Sequence, residues 1–196
     1  MHGMLQAALA AKALQFVILT GARSGEVFGV TFDEIDFKTP TWTVPANRMN
    51  MGLELSVSLS EQALALLKDQ LAERGRKQDY VFESPLPQSS KLHRSGAHQP
   101  LSPMVLVMPM RRLRAGVTTH GMCSSFRSWC ADTGVAFEVA EQCLAHAVGN
   151  AVVHADQRSS MLERRRPVMT SWAQYLAGKA EPKVVPIGSQ RKETAR

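Results

Sequence analysis

Thr20-Gly21-Ala22-Arg23-Ser24-Gly25-Glu26-Val27 is the stretch that decides how this chain is read. An apolar run, Leu14 to Leu19, leads into it. A single cation then stands between two glycines, and an acid follows three residues later. An arginine beside a core helix must be paired or must face an anion, because an isolated buried charge is strongly disfavoured. Glycine on either side lets backbone or a phosphate approach closely. Chemistry alone leaves two readings open: an exposed arginine in a helix–helix turn, or an arginine aimed at a ligand anion.

Upstream, residues 4–19 are rich in Ala, Leu and Gln without a breaker, which predicts a helix apolar enough to need burial. Downstream, Ser24 is the candidate N-cap of a short helix reaching Gly29. Then β signals begin. Glu34 to Phe37 alternates, Lys38-Thr39-Pro40 turns, and Trp42-Thr43-Val44-Pro45 alternates again. After a turn over Asn47 to Gly52, Leu53 to Leu59 places apolar side chains on odd positions, a half-buried strand with one wet face. The expected result is a small three-stranded antiparallel sheet in an otherwise helical α+β domain.

Ser60 is expected to cap a helix through Ala72, with Leu64, Leu67 and Leu71 on its buried face. Arg74-Gly75-Arg76-Lys77 suits its end. A short apolar segment, Asp79 to Phe82, precedes a polar loop from Glu83 to Pro100. His93 and His98 in that loop are two ligands short of a metal site, so neither metal nor cofactor is expected. Ser102-Pro103 opens a helix toward Leu113, kinked or cut short at Pro109. Arg111, Arg112 and Arg114 near its end fit either a solvated helix terminus or a DNA-facing patch. Thr119 is the candidate N-cap of the next helix. Phe137 to Leu144 starts another, with His146 in its last turn, and Met161 to Leu176 forms the last. Domain limits of 1–178 follow, with 179–196 as a mobile basic tail carrying the apolar patch Val184-Val185-Pro186-Ile187.

Leu19-Thr20-Gly21-Ala22-Arg23-Ser24-Gly25-Glu26-Val27, then Phe32-Asp33-Glu34-Ile35-Asp36 and Trp42-Thr43-Val44-Pro45, resemble the start of a tyrosine recombinase catalytic domain. The likeness is to prophage integrases related to those of satellite phages, and it runs to about Gly178. It implies that fold, DNA integration and site-specific recombination, and double-stranded DNA as partner. Binding would be weak without the upstream domains of such proteins, and a second copy or other recombinase subunits would share the DNA. Met1 stands almost immediately before the first helix, which fits either a truncated product or a fragment of a longer protein.

In that family a tyrosine attacks the scissile phosphate, and the charge gained in the transition state needs fixed cations and donors around it. Carried over by resemblance, Arg23 matches the first phosphate-clamping arginine and Glu26 the acid after it. His120 matches the histidine of His-x-x-Arg, but Cys123 stands at the arginine. His146 matches the next histidine. The hairpin lysine, which protonates the leaving oxygen, falls at Asn50 in Arg48-Met49-Asn50-Met51. The nucleophile falls at Asp156. Arg23, Arg48, Arg111, Arg112 and Arg114 are the residues expected to face DNA. With general acid, second clamp and nucleophile replaced, the expectation is a catalytically inactive relative. The alternatives are a non-catalytic DNA-binding or recombinase-partner remnant of a prophage, and a pseudogene product.

Composition agrees with an anionic partner. Lys+Arg 23 against Asp+Glu 17 gives +6 over 196 residues, and 44% hydrophobic content suffices for a core. Three cysteines without a Cys-x-x-Cys pair fit reduced thiols in a cytoplasmic protein. Lys12 and Gln15 interrupt the first apolar run, so neither signal peptide nor membrane partner is expected.

Overall fold

In a computed structural model the described residues are 2–49, 52–73, 79–84, 100–102, 104–106, 110, 118–144 and 158–179. Helix α1 (His2–Thr20) buries Ala10, Ala13, Leu14, Phe16, Val17, Leu19 and Thr20, so its C-terminal half is enclosed around most of its circumference. It stops at Gly21, whose φ of +66° is left-handed, and the Gly21 amide donates to the Val17 carbonyl at 3.0 Å. A side chain at Gly21 would also press on Leu144, at 3.3 Å from its Cδ2. The turn that sends the chain toward Arg23 therefore needs glycine for both shape and room.

Helix α2 (Ser24–Phe28) begins one residue earlier than the serine suggested. Arg23 is the N-cap, and Ser24 occupies the first helical position. Glu26, at the third helical position, accepts the Arg23 amide at 2.9 Å, the half of a capping box that satisfies the N-cap residue's own N–H. A short 3-10 turn (Phe32–Glu34) leads into the sheet.

Strands β1 (Ile35–Asp36), β2 (Thr41–Val44) and β3 (Leu55–Ser58) form an antiparallel sheet in that order. Trp42 lies opposite Ile35 on one side and Val57 on the other. The Asp36 carboxylate accepts the Lys38 and Thr39 amides at 2.8 and 3.1 Å, which closes the tight turn between β1 and β2. The alternation of β3 holds for Val57, which is buried. Its other face is not wet throughout: Ser58 is also buried, with its hydroxyl donating to the Leu162 carbonyl of the last helix at 3.1 Å.

Ser60 caps helix α3 (Glu61–Glu73), accepting the Ala63 amide at 3.3 Å. Its buried face is Ala63, Leu66, Leu67 and Gln70; Leu64 is half-buried and Leu71 exposed, so the expected leucine stripe is turned by about one residue. Gln70 is buried where Leu71 was expected, and its amide donates to Glu73, which also pairs with Lys12 of α1 at 2.8 Å. Helix α4 (Thr119–Asp132) is capped by Thr118, not Thr119, through the Gly121 amide at 3.1 Å. Helix α5 (Phe137–Cys143) and helix α6 (Arg158–Leu176) complete the described elements.

Two clusters form the core. One gathers α1, α2, the sheet and α3 around Phe16, Trp42, Leu67 and Phe82. The other joins α4, α5 and α6 around Phe126, Trp129, Trp172 and Met169. Ile18 touches both, and its carbonyl accepts the Trp172 indole N–H at 2.8 Å. Helix α1 thus hinges the two halves, and Gly21 and Arg23 emerge at the seam. Among the described residues no helix is long and apolar enough to cross a membrane. The turn expected over Asn47 to Gly52 closes with the Gly52 amide donating to the Met49 carbonyl at 2.9 Å, Gly52 itself at φ +62°, while the kink expected at Pro109 and the tail after Lys179 lie outside the described residues.

Candidate functional site

The segment after Gly21 places one cation where it can serve an external anion. Glu26 is buried, and a buried carboxylate needs partners. It has two from Arg23: the amide, and guanidinium Nη1 at 3.3 Å. That pairing fixes Arg23 without burying it, since its side chain remains 39% exposed against 5% for Glu26. A guanidinium carries five N–H donors, and one long bond occupies one of them. Among the described residues the rest of the fork has no hydrogen-bond partner, and the side chain is part-exposed, which leaves donors for an anion.

Helix α4 brings Cys123 to the same spot from 102 residues away, with its thiol 3.7 Å from the Gly21 carbonyl. The thiol is half-buried, and desolvation pushes its pKa up, an effect only partly opposed by the Arg23 guanidinium. Beside Arg23 therefore stands a neutral group. His120 is one turn earlier on the same helix, where the structure describes its backbone alone. Asn50, Arg111, Arg112, Arg114, His146 and Asp156 lie outside the described residues.

Arg48 does not point outward. It ends a 3-10 turn (Ala46–Arg48), pairs with the Glu34 carboxylate, and donates from Nη1 to the Glu26 carbonyl at 3.3 Å. Glu34 also accepts the indole N–H of Trp42 at 3.0 Å. The arginine run in α6 divides as well. Arg165 is buried, donating to the carbonyls of Met161 and Gln142 at 3.3 Å each. Arg166 donates to the Pro40 carbonyl and pairs with Glu163 at 3.0 Å, while Arg164 is exposed. By composition alone a run of three cations looks like a solvated face.

The family comparison covers most of this frame: the sequence pattern of the "Phage integrase family" matches residues 4–155. The chain belongs to the phage integrase family. It is 32% identical over 178 residues to "Prophage integrase IntA" of Escherichia coli (strain K12), covering 88% of this chain and 41% of that one. It is 26% identical over 181 residues to "Integrase" of Enterobacteria phage P4, covering 84% of this chain and 39% of that one. The chain thus spans about two fifths of the length of these integrases. A crystal structure of XerA recombinase aligns over 89% of this chain and 64% of that one, at 18% identity and a TM-score of 0.49. For this integrase-family chain, the mostly helical architecture with a three-stranded antiparallel sheet implied by the sequence resemblance is the one observed.

The three thiols of this chain differ in a way that can be measured. Cys130 and Cys143 are buried, and desolvation pushes each up to about 12. The thiolate is the reactive form, so both are protected twice over. In native protein at mildly alkaline pH we expect a maleimide to label Cys123 first, and Cys130 and Cys143 only as fast as the domain opens. Peptide mass spectrometry after timed quenching reads the order; early labelling of Cys130 or Cys143 would contradict the packing of α4 against α5.

Proposed function

We propose that this chain is an integrase catalytic-domain relative that binds double-stranded DNA through Arg23 and does not itself carry out strand transfer. The observation that carries this reading is the pair at the seam. Arg23 is held half-exposed by a buried carboxylate, and a neutral thiol stands beside it. One fixed cation with free donors supports holding a phosphate. Two would be needed to offset the charge gained when that phosphate is attacked. His120, one turn from Cys123, and His146 are proposed to complete the concavity around the same phosphate. Asn50 and Asp156 stand in the sequence where a general acid and a tyrosine nucleophile are required, and neither side chain can replace them.

The resemblance assigns residues 1–178 to the catalytic domain and 179–196 to a basic tail, with DNA integration and recombination as the family's activity. On DNA, a second copy or another recombinase subunit is the proposed neighbour. Arg111, Arg112 and Arg114 add to the proposed DNA face. Arg165 and Arg166 do not, because Arg165 is buried on the Met161 and Gln142 carbonyls and Arg166 is held by the Pro40 carbonyl and Glu163.

Fluorescence anisotropy with a labelled duplex tests the binding. Dissociation constants around 10⁻⁴ to 10⁻⁶ M are expected near physiological salt, with no strong sequence preference. Arg23→Met should weaken binding and reduce the magnitude of the log–log salt slope by about 0.9, the signature of one lost phosphate contact. No binding at low salt, or a slope untouched by Arg23→Met, would overturn the reading.

A further inference from the structure

We propose that Arg48 is a positioning residue for Arg23, locking the connection after β2 to helix α2, and is not itself a phosphate contact. This rests on the reading of Arg23 as the phosphate-holding cation. Arg48 joins three parts of the fold through one planar group. One edge pairs with Glu34, in the turn before β1. Glu34 in turn accepts the indole N–H of Trp42, which is fully buried at the centre of the sheet. Nη1 donates to the main-chain carbonyl of Glu26, in the middle of α2. Glu26 is the same residue whose carboxylate holds both the amide and the guanidinium of Arg23. A chain of contacts thus runs from the sheet core through Arg48 to the backbone that aims Arg23.

Gly29 is the independent observation. Its φ is −87°, ordinary for any residue, so conformation does not call for glycine there. Space does. A Cβ at Gly29 would lie 2.3 Å from Nη1 of Arg48 and 3.2 Å from its Cδ. The C-terminus of α2 is cut back to admit this guanidinium. A phosphate-contacting arginine has no need of a pocket that leaves its side chain 22% exposed and turns Nη1 and Nη2 to protein carbonyl and carboxylate oxygens, with Nε buried and without a partner among the described residues. Lysine would not reproduce this planar fork, whose two terminal nitrogens reach the Glu34 carboxylate and the Glu26 carbonyl from fixed directions.

Hydrogen exchange followed by NMR on the full chain, with Arg48→Met, Arg48→Lys and Gly29→Ala, tests the link without DNA. Gly29→Ala is the informative variant because it displaces the guanidinium and changes no charge. All three should speed exchange of the Arg23 amide and the Trp42 indole N–H, while amides in the centre of α6 keep their protection. Equal loss of protection in α6 would mean only a general loss of stability, and an unchanged Arg23 amide would mean no coupling; either result overturns the proposal. DNA binding supplies the second arm. A direct phosphate contact would survive Arg48→Lys; a positioning role predicts that Arg48→Lys weakens binding as Arg48→Met does. In an Arg23→Met background neither change should matter further. A slope reduced by another 0.9 or so in that background would place Arg48 on a phosphate and sink the idea. Should the parent chain bind no DNA, the DNA-binding reading fails, and the exchange data still decide whether Arg48 positions Arg23.

Discussion

Incubated with a nicked duplex that traps cleavage intermediates, the unmodified chain is expected to give no covalent protein–DNA adduct. On the proposed assignment a phosphotyrosyl link needs a tyrosine at the position of Asp156, and a carboxylate there would instead repel the phosphate. The chain has two tyrosines. Tyr175 is stacked on Trp172, with ring centroids 5.7 Å apart and planes 25° apart, and also lies against Trp129 at 6.0 Å. Tyr80 is half-buried and bridges to Thr31. Tyr175 thus has a packing role that accounts for it without chemistry, and Tyr80 sits in a backbone bridge.

Asp156→Tyr by itself should recover nothing measurable. Cys123 would still leave the phosphate under-neutralised, and the loss of one transition-state donor alone costs about 10² to 10³ in rate. Asn50 would still be unable to protonate the leaving oxygen. Groups that act as a unit fail as a unit, so single repairs fall short. The smallest set expected to restore cleavage is Asn50→Lys with Cys123→Arg and Asp156→Tyr, joined to the core-binding domain of a relative. Cys123→Arg has a local cost, since it sets a second cation beside Arg23 in a desolvated spot, and bound phosphate is what would offset it. The assay is a denaturing gel scored for a band shifted by attached DNA. An adduct from the unmodified chain would overturn the assignment of Asp156 and the proposal of inactivity together.

Where sequence and structure part, the cause is long-range geometry. Alternation through Leu53 to Leu59 located β3, because a strand's period is a local property. It could not foresee that Leu162 of α6 would cover Ser58 from the supposedly wet side. Ser24 and Thr119 satisfy the residue preferences for an N-cap; Arg23 and Thr118 take the positions because Glu26 and the Gly121 amide complete the bonds there. The pairing of Arg48 with Glu34 joins elements 14 residues apart and follows no period. Arg165 had a trace in the sequence: it lies four residues after Met161 and four before Met169, both buried, so a helical count puts it on the inner face. Composition alone reads the same run as solvated. The convergence of Cys123 with Arg23 was legible only through the family resemblance, since nothing local ties the start of α4 to the end of α1.

Trp42→Ala is expected to be the most damaging single change to the fold. Trp42 is fully buried, its ring packs on Phe16 at a centroid distance of 5.4 Å, and its indole N–H donates to Glu34. Removing a large aromatic from a close-packed core costs about 3 to 5 kcal/mol, because the walls do not collapse fully into the space. Set against a typical domain stability of about 5 to 15 kcal/mol, that is enough to leave much of the chain unfolded under mild conditions. Trp42→Phe separates the two parts of the loss. It keeps a ring against Phe16 and leaves the Glu34 carboxylate with Arg48 alone, so about 1 to 3 kcal/mol is expected, the cost of a partly buried acceptor losing a bond. Urea titration followed by circular dichroism gives both values. If Trp42→Ala shifts stability by less than about 1 kcal/mol, the ring is not seated in the core as described. If Trp42→Phe costs as much as Trp42→Ala, the Glu34 bond, and with it the Arg48 clamp above it, carries more of this half of the domain than the packing does.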